Sequence, residues 1–172
     1  MRLRYPKTLI TGPPGVGKTT LVHKILNQLE PVQAAGFYTS EVISNGRRVG
    51  FELRGLGGER RILAHTSIGG PYRVGKYGVD TEGLDEFLSG LNIQASTTKL
   101  IVIDEIGKME LFSRKFRDLV RDILNSDIQM LATVAMKGGG LIRETKQRPD
   151  VHLCEVNRHN RDRLRSFILQ TP

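Results

Sequence analysis

The spacing of apolar positions along the chain predicts strands and helices in alternation. The run from Lys7 to Ile10 is short, apolar and followed by Thr11-Gly12, which is typical of a strand that ends in a tight turn. The segment after this turn has apolar residues three and four apart and ends at Pro31, which predicts a helix. Its apolar positions are Leu21, Val22, Ile25, Leu26 and Leu29.

The second half of the chain repeats this alternation. We predict a helix capped by Thr81, a buried strand over 100–103, a helix capped by Ser113, and strands over 128–134 and 151–156. A last helix closes the chain with Leu164, Phe167 and Ile168. Strands that alternate with helices favour an α/β fold, in which helices cover both faces of a mostly parallel sheet.

Residues 36–64 follow a different pattern. They contain aromatic and β-branched residues, the hairpin signal Asn45-Gly46, and a second turn at Gly57-Gly58. This predicts a small antiparallel meander, which either forms one wall of a cleft or extends the sheet. Residues 65–80 contain four glycines and a proline, and we predict a long loop there.

The first candidate for chemistry lies between the first strand and the first helix. Residues 12–19 fit the phosphate-loop pattern G-x-x-x-x-G-K-[ST], in which backbone N–H groups surround phosphate oxygens. We expect Lys18 to reach the β- and γ-phosphates and Thr19 to offer its hydroxyl to Mg²⁺. The predicted nucleotide-binding residues of this loop are Gly12, Pro13, Pro14, Gly15, Val16, Gly17, Lys18, Thr19 and Thr20.

The second candidate follows the buried strand over 100–103. Asp104 and Glu105 are the first charges where this strand would emerge from the sheet. We expect Asp104 to hold Mg²⁺ opposite Thr19, directly or through a water. Glu105 and Lys18 are the predicted catalytic residues. A carboxylate beside the γ-phosphate, here Glu105, orients or deprotonates the attacking water.

Length and composition are consistent with one domain spanning residues 1–172. No segment has the apolar length of a membrane span or a signal peptide, and the only cysteine, Cys154, has no partner for an internal disulfide. We therefore expect a cytoplasmic, monomeric protein without a membrane partner. The net charge of +8 is compatible with nucleic acid as a partner. We favour a solvated basic surface instead, because basic and acidic residues are interleaved along the chain.

The stretch from Asp104 to Ser113 resembles a hallmark of the THEP1 family of nucleoside-triphosphatases, also represented by the cancer-related nucleoside-triphosphatase. The phosphate loop, residues 36–39, residues 46–51 and Asn160-Arg161 resemble that family in order and approximate spacing. The resemblance implies a three-layer phosphate-loop fold and Mg²⁺-dependent hydrolysis of nucleoside triphosphates, with broad tolerance of the base. It also implies nucleotide contacts at Ile101, Val102, Ile103, Asp104, Glu105, Ile106, Gly107 and Lys108.

Three arginines are further candidates. Arg143 and Arg148 belong to a basic segment that follows three consecutive glycines, and we predict that this segment forms a mobile lid over the triphosphate. The segment from Asn157 to Arg161 follows the last strand and is the predicted contact to the base, with Arg161 as its candidate arginine. Two other functions stay open: a nucleotide or small-molecule kinase, which would need an acceptor pocket that excludes water, and a nucleic-acid-associated ATPase module.

Overall fold

The computed structural model describes residues 1–29, 33–91, 93 and 97–170, so the predicted helix stop at Pro31 lies outside the described residues. The strands are β1 Arg2–Leu3, β2 Lys7–Thr11, β3 Ala34–Ser44, β4 Arg47–Gly55, β5 Arg60–His65, β6 Arg73–Val74, β7 Tyr77–Val79, β8 Leu100–Ile106, β9 Gln129–Val134, β10 Val151–Glu155 and β11 Leu169–Gln170. The α-helices are α1 Lys18–Leu26, α2 Thr81–Gly90, α3 Arg114–Asn125, α4 Leu141–Gln147 and α5 Arg161–Ile168, and a 3₁₀ turn spans Glu110–Phe112.

Within the described residues, nine strands form one sheet in the order β10-β2-β9-β8-β3-β4-β5-β7-β6. The first five of these are parallel to one another. Strand β8 lies inside this parallel part, between β9 and β3, and its residues alternate between two apolar cores. Leu100 and Val102 pack in the core under α1 and α5, whereas Ile101 and Ile103 pack in the core under α2, α3 and α4. Helices therefore cover both faces, which confirms the predicted three-layer α/β fold.

The predicted meander is continuous with the central sheet. Residues 34–38 of β3 pair in parallel with β8, and residues 37–44 pair antiparallel with β4. The turn between β3 and β4 has positive φ angles at Asn45 (49°) and Gly46 (71°), as the hairpin signal requires. The meander thus extends the sheet beyond the parallel strands.

The long loop predicted over 65–80 is wrong in its second half. Residues 73–79 form the hairpin β6 and β7, and β7 pairs with the end of β5 through Ala64–Val79 and His65–Gly78. Strands of two and three residues are too short to show an apolar period. Their pairing with β5 is a tertiary contact, and sequence spacing does not report it.

Two helix caps were predicted, and one of them is correct. The Ser113 hydroxyl accepts a hydrogen bond from the Phe116 N–H at 2.9 Å and caps α3. Helix α2 is capped by Asp80 and not by Thr81, because the Asp80 carboxylate accepts from the Gly83 N–H at 2.8 Å. Both residues are good N-caps, so a shift of one position was within the ambiguity of the sequence.

The basic segment after the three glycines is a helix, α4, anchored in the core by Leu141 and Ile142. Cys154 packs in the core under α1 and α5, and burial raises the pKa of its thiol to about 11. Within the described residues, no helix is long and apolar enough to cross a bilayer.

Candidate functional site

The phosphate loop connects β2 to α1 and packs against the chain that follows β10. A Cβ placed on Gly12 would lie 2.4 Å from the Val156 carbonyl oxygen, so only glycine fits there. The loop ends at Gly17, which is the N-cap of α1 and offers no side-chain cap. The first N–H groups of α1 are therefore left for an anion, and the positive end of the helix dipole faces the same place.

Lys18 is folded back onto the loop that carries it. Its ammonium donates to the carbonyl oxygens of Gly12 at 3.1 Å and Pro13 at 3.3 Å. The same nitrogen lies 4.0 Å from Oε2 of Glu105 at the end of β8. The predicted pair of catalytic residues is thus in contact across the gap between the two strand ends.

Asp104 is nearly fully buried beside the phosphate loop, at 3% exposure. Its Oδ1 accepts a hydrogen bond from the Thr133 hydroxyl on β9, and its Oδ2 has no partner within the described residues. A buried carboxylate oxygen without a partner suits a hard cation or its bound water. Thr19 is half-buried and lines the same cleft, so the two predicted metal ligands fit Mg²⁺.

Thr133 was not predicted from the sequence. It lies at the end of β9, a strand that pairs with β8, and its hydroxyl reaches Asp104 across 29 positions of the chain. No local pattern marks such a residue. Its hydrogen bond is of the kind that orients a metal ligand, here the predicted ligand Asp104.

Glu105 has a mixed electrostatic environment. Burial raises the pKa of its carboxyl above the ordinary value, the Asp104 carboxylate adds to this, and the ammonium groups of Lys18 and Lys146 oppose it. Lys146 lies on α4, where it donates to the Met136 carbonyl oxygen at 2.9 Å. It belongs to the basic segment that the sequence indicated, but Arg143 and Arg148 were chosen from that segment instead.

Glu110 is a second buried carboxyl near the site. It is 4% exposed, and burial raises its pKa to about 8, with Glu105 and Asp104 contributing in the same direction. It lies within the stretch that carried the family resemblance, but no role for it was predicted. A Cβ placed on Gly107 would lie 2.9 Å from Oε2 of Glu110 and 3.2 Å from Oε1 of Glu105, so both carboxyl groups lie close to this glycine.

These groups line one cleft of about 690 Å³ at the carboxyl ends of the strands. From the predicted site it is lined by Pro14, Gly15, Gly17, Lys18, Thr19, Thr20, Asp104, Glu105, Gly107 and Lys108. From the meander and β6 it is lined by Thr39, Ser40, Glu41, Phe51, Leu63 and Val74. The meander therefore forms one wall of the cleft as well as extending the sheet, so both alternatives left open by the sequence apply.

Some predicted contact residues lie beneath the cleft and not in it. Ile101, Val102, Ile103 and Ile106 are at most 1% exposed and belong to the two cores. Val16 is also buried, and Gly12 packs against Val156. The side chains of these residues lie beneath the cleft, where they position the site. They do not line the cleft.

The structure separates the three predicted arginines. Arg161 lies beside the phosphate loop, with its Nη1 3.9 Å from where a Cβ on Gly17 would be. Together with Gly17, Thr20, Leu21, Lys24 and Asp162 it lines a smaller pocket of about 180 Å³. Arg143 is exposed on α4.

Arg148 is not brought to the cleft. Its guanidinium donates to Asp150 at 2.9 and 2.7 Å, to Asn125 Oδ1 at 2.9 Å and to the Leu124 carbonyl oxygen at 3.2 Å. It lines a pocket with Lys7, at the start of β2, whereas the phosphate loop follows the end of that strand. Arg148 therefore lies at the amino-terminal end of β2, opposite the end that carries the phosphate loop.

The fold and the cleft define a phosphate-loop nucleotide-binding protein of the α/β class. A family model described as NTPase matches residues 7–169. The chain is 46% identical to the nucleoside-triphosphatase THEP1 of Thermotoga sp. strain RQ2, over 95% of this chain and 93% of that protein. The chain belongs to this family of nucleoside-triphosphatases, which confirms the resemblance seen in the sequence.

Solved structures agree with this assignment. The crystal structure of THEP1 from the hyperthermophile Aquifex aeolicus superposes with a TM-score of 0.83 at 40% identity, covering 95% of this chain and 96% of that one. The solution structure of a human cancer-related nucleoside triphosphatase gives a TM-score of 0.76 at 37% identity and covers 94% of both chains.

Proposed function

We propose that this protein hydrolyses nucleoside triphosphates to diphosphate and phosphate in the presence of Mg²⁺, with broad tolerance of the base. The observation that carries the proposal is the position of Glu105, near the carboxyl end of β8, with its carboxylate 4.0 Å from the ammonium of Lys18. A lysine at this point of a phosphate loop contacts the β- and γ-phosphates. The Glu105 carboxylate therefore borders the place where the γ-phosphate is bound.

Each residue of the site has a defined part in this reaction. The N–H groups of the loop and of α1 bind the phosphates, and Lys18 turns from the Gly12 and Pro13 carbonyls to neutralise the transferring phosphoryl group. Glu105 accepts a proton from water, whose oxygen attacks the γ-phosphorus as the bond to the β,γ-bridging oxygen breaks. Asp104 and Thr19 would hold Mg²⁺, which when bound neutralises charge on the phosphate oxygens.

The same arrangement supports unselective and slow turnover. The small pocket beside Gly17 offers the base two cationic side chains, Lys24 and Arg161, and little shape selection, so we propose that several bases are accepted. We also propose slow turnover, because no arginine lines the cleft within the described residues. A monomeric state and a cytoplasmic location are parts of this proposal.

The test is phosphate release from ATP, GTP, CTP and UTP, with Mg²⁺ or with EDTA. Release should occur with all four nucleotides and without any acceptor, should stop in EDTA, and should be insensitive to added DNA or RNA. Phosphate release that depends on an added acceptor would contradict hydrolysis. Strong stimulation by nucleic acid that salt abolishes would support the ATPase-module alternative instead.

A further inference from the structure

The chain that leaves β9 emerges between the two groups proposed to perform the reaction. In the sheet, β9 lies between β2, which the phosphate loop follows, and β8, which carries Glu105 near its carboxyl end. The first residue after β9 is Ala135, which lines the cleft and whose N–H donates to the Ile106 carbonyl oxygen at 3.1 Å. A side chain bound to this piece of chain therefore lies close to the place proposed for the γ-phosphate.

The ammonium of Lys146 is bound to the next residue of this piece of chain. It donates to the Met136 carbonyl oxygen at 2.9 Å, and it has no other hydrogen bond or ion pair within the described residues. An ammonium has three N–H donors, so two of them are left for another acceptor. Lys146 is half-buried, and burial lowers the pKa of its ammonium below the ordinary value. A partly desolvated cation with free donors suits an anionic ligand.

The carboxylates around Lys146 indicate where its charge acts. Glu105 and Glu155 both raise the pKa of the Lys146 ammonium, and Lys146 in turn lowers the pKa of the Glu105 carboxyl. Glu155 ends β10 opposite Thr11, the residue directly before the phosphate loop. Lys146 therefore lies near the strand ends on both sides of that loop.

The other cations of the cleft are placed differently. Lys18 belongs to the phosphate loop itself. Lys108 lines the cleft but is exposed, and no arginine lines it within the described residues. The cations whose charges lower the pKa of the Glu105 carboxyl are Lys18 and Lys146. Lys146 is thus the positive charge that faces Glu105 from outside the phosphate loop.

Helix α4 fixes the backbone of Lys146 and leaves its ammonium free to move. The helix is anchored by Leu141 and Ile142, which are buried in the core. The ammonium is carried by a flexible four-carbon stem. Rotation about the side-chain bonds can exchange the Met136 carbonyl oxygen for a phosphate oxygen while α4 stays in place.

From these observations we propose that Lys146 is a catalytic residue, an assignment that rests on the proposed function: its ammonium contacts an oxygen of the γ-phosphoryl group during hydrolysis. The water oxygen bonds to the γ-phosphorus, Glu105 accepts the proton, and the bond to the β,γ-bridging oxygen breaks with its electron pair going to the diphosphate. Lys146 forms no covalent bond and transfers no proton. It neutralises negative charge on the transferring group, as an arginine does in other phosphate-loop enzymes.

The test compares variants of Lys146 in the full chain with Mg²⁺ and ATP. Lys146→Ala should lower the kcat of phosphate release by about 10²-fold or more, because it removes a group that stabilises charge in the transition state. The affinity for a non-hydrolysable triphosphate should stay within about threefold, because the phosphate loop and Lys18 remain. The affinity for ADP with Mg²⁺ and aluminium fluoride, which imitates the transferring phosphoryl group, should fall by about as much as kcat.

Two conservative variants separate the charge from the hydrogen bond to Met136. Lys146→Gln keeps an N–H donor for the Met136 carbonyl oxygen and removes the charge, so its kcat should be as low as that of Lys146→Ala. Lys146→Arg keeps the charge and should retain a kcat within about tenfold of wild type. All three variants should melt within a few degrees of wild type, because they change one hydrogen bond to an exposed residue.

Lys137→Ala is the matched control. Lys137 is exposed, follows Met136 directly, and has no hydrogen bond or ion pair within the described residues. The variant removes the same charge from the same loop, and its kcat should stay within about twofold of wild type.

Three outcomes would overturn the assignment. A wild-type kcat in Lys146→Ala would remove Lys146 from the reaction and leave the hydrolase intact. An equal fall of kcat in Lys137→Ala would assign the effect to positive charge in general. Equal losses of affinity for the non-hydrolysable triphosphate and for the aluminium fluoride complex would make Lys146 a group that only binds substrate. Absence of phosphate release from the wild-type protein would instead contradict the proposed hydrolysis itself.

Discussion

The ammonium of Lys18 lies 4.0 Å from the carboxylate of Glu105, although the two residues belong to different strand ends separated by β9 in the sheet. The contact joins the group that we propose to bind the phosphates to the group that we propose to act on water. It also keeps the Glu105 carboxylate, whose pKa burial raises, next to a positive charge. Removal of the Lys18 ammonium should therefore affect phosphate binding, whereas removal of the Glu105 carboxylate should affect the action on water. Both effects are measurable.

Replacing Glu105 should abolish turnover and spare binding. Glu105→Gln keeps the side-chain size and removes the base, so kcat should fall by about 10² to 10⁴. The affinity for a non-hydrolysable triphosphate should stay within about threefold, because the loop N–H groups and Lys18 remain. Phosphate-release kinetics and calorimetric titration measure the two effects. A Glu105→Gln variant that hydrolyses ATP at the wild-type rate would contradict the role of this carboxylate.

Thr133 should act on the metal through Asp104. Thr133→Val removes the hydroxyl that donates to Asp104 Oδ1, and loss of such a supporting contact weakens metal binding by about 10 to 100-fold. We expect a matching rise in the Mg²⁺ concentration for half-maximal phosphate release, with kcat recovered at saturating Mg²⁺. Thr66→Val is the exposed control. An unchanged Mg²⁺ dependence in Thr133→Val would show that Asp104 needs no orienting partner.

Glu110 should make stability fall as the pH rises. Its folded-state pKa is about 8 against an ordinary value of 4.5, so between these pH values the unfolded chain has released a proton that the folded chain retains. The free energy of unfolding then decreases with pH by at most about 1.4 kcal/mol per pH unit, and it levels off above the folded-state pKa.

Glu110→Gln removes this dependence, because the amide stays neutral in both states. The variant should melt at a higher temperature than wild type at pH 8 and at nearly the same temperature at pH 5. Thermal unfolding at a series of pH values measures the difference. A variant that is equally destabilised at both pH values would mean that Glu110 is held by hydrogen bonds that the amide cannot make.

Arg161 should contribute to nucleotide binding and not to the chemical step. It lies beside Gly17, on the side of the loop away from Glu105, so Arg161→Ala should raise the KM for ATP by about three- to tenfold with little change in kcat. Arg158→Ala removes the same charge from an exposed position three residues earlier and serves as the control. Equal effects of the two variants would indicate a general effect of surface charge.

Arg148 should matter for stability alone. Its hydrogen bonds to Asp150, Asn125 and Leu124 connect the start of β10 to the end of α3. These contacts lie at the opposite end of the strands from the phosphate loop. Arg148→Ala should lower the free energy of unfolding by about 1 kcal/mol, with KM and kcat unchanged. Denaturant unfolding and steady-state kinetics measure both. A loss of activity without a loss of stability would restore the lid hypothesis for this residue.

Much of the fold could be predicted because its signals are local. The strand β2, the helix α1, the hairpin at Asn45-Gly46 and the cap at Ser113 each depend on residues within a few positions of one another. Backbone sterics, apolar period and side-chain capping act over that range. The short strands β6 and β7 have no such signal, because pairing with β5 alone makes them strands.

The candidate site divides in the same way. The sequence alone predicts phosphate and Mg²⁺ binding, because these functions require particular residue types at particular spacings. Those residues are Gly12 to Thr19 and Asp104-Glu105. The sequence by itself thus determined a phosphate-loop nucleotide site and the candidate groups for its chemistry, and it left hydrolysis and phosphoryl transfer as alternatives. The resemblance from Asp104 to Ser113 narrowed this to one family.

Only the tertiary structure decided which other residues reach these groups. Thr133, Lys146 and Glu110 lie near Asp104 and Glu105, and the meander forms one wall of the cleft. Arg148 lies at the other end of the parallel strands. Electrostatic contacts and desolvation depend on distances through space, and these distances join residues that are far apart in the chain. Strand order and burial set them, and no spacing along the sequence encodes them.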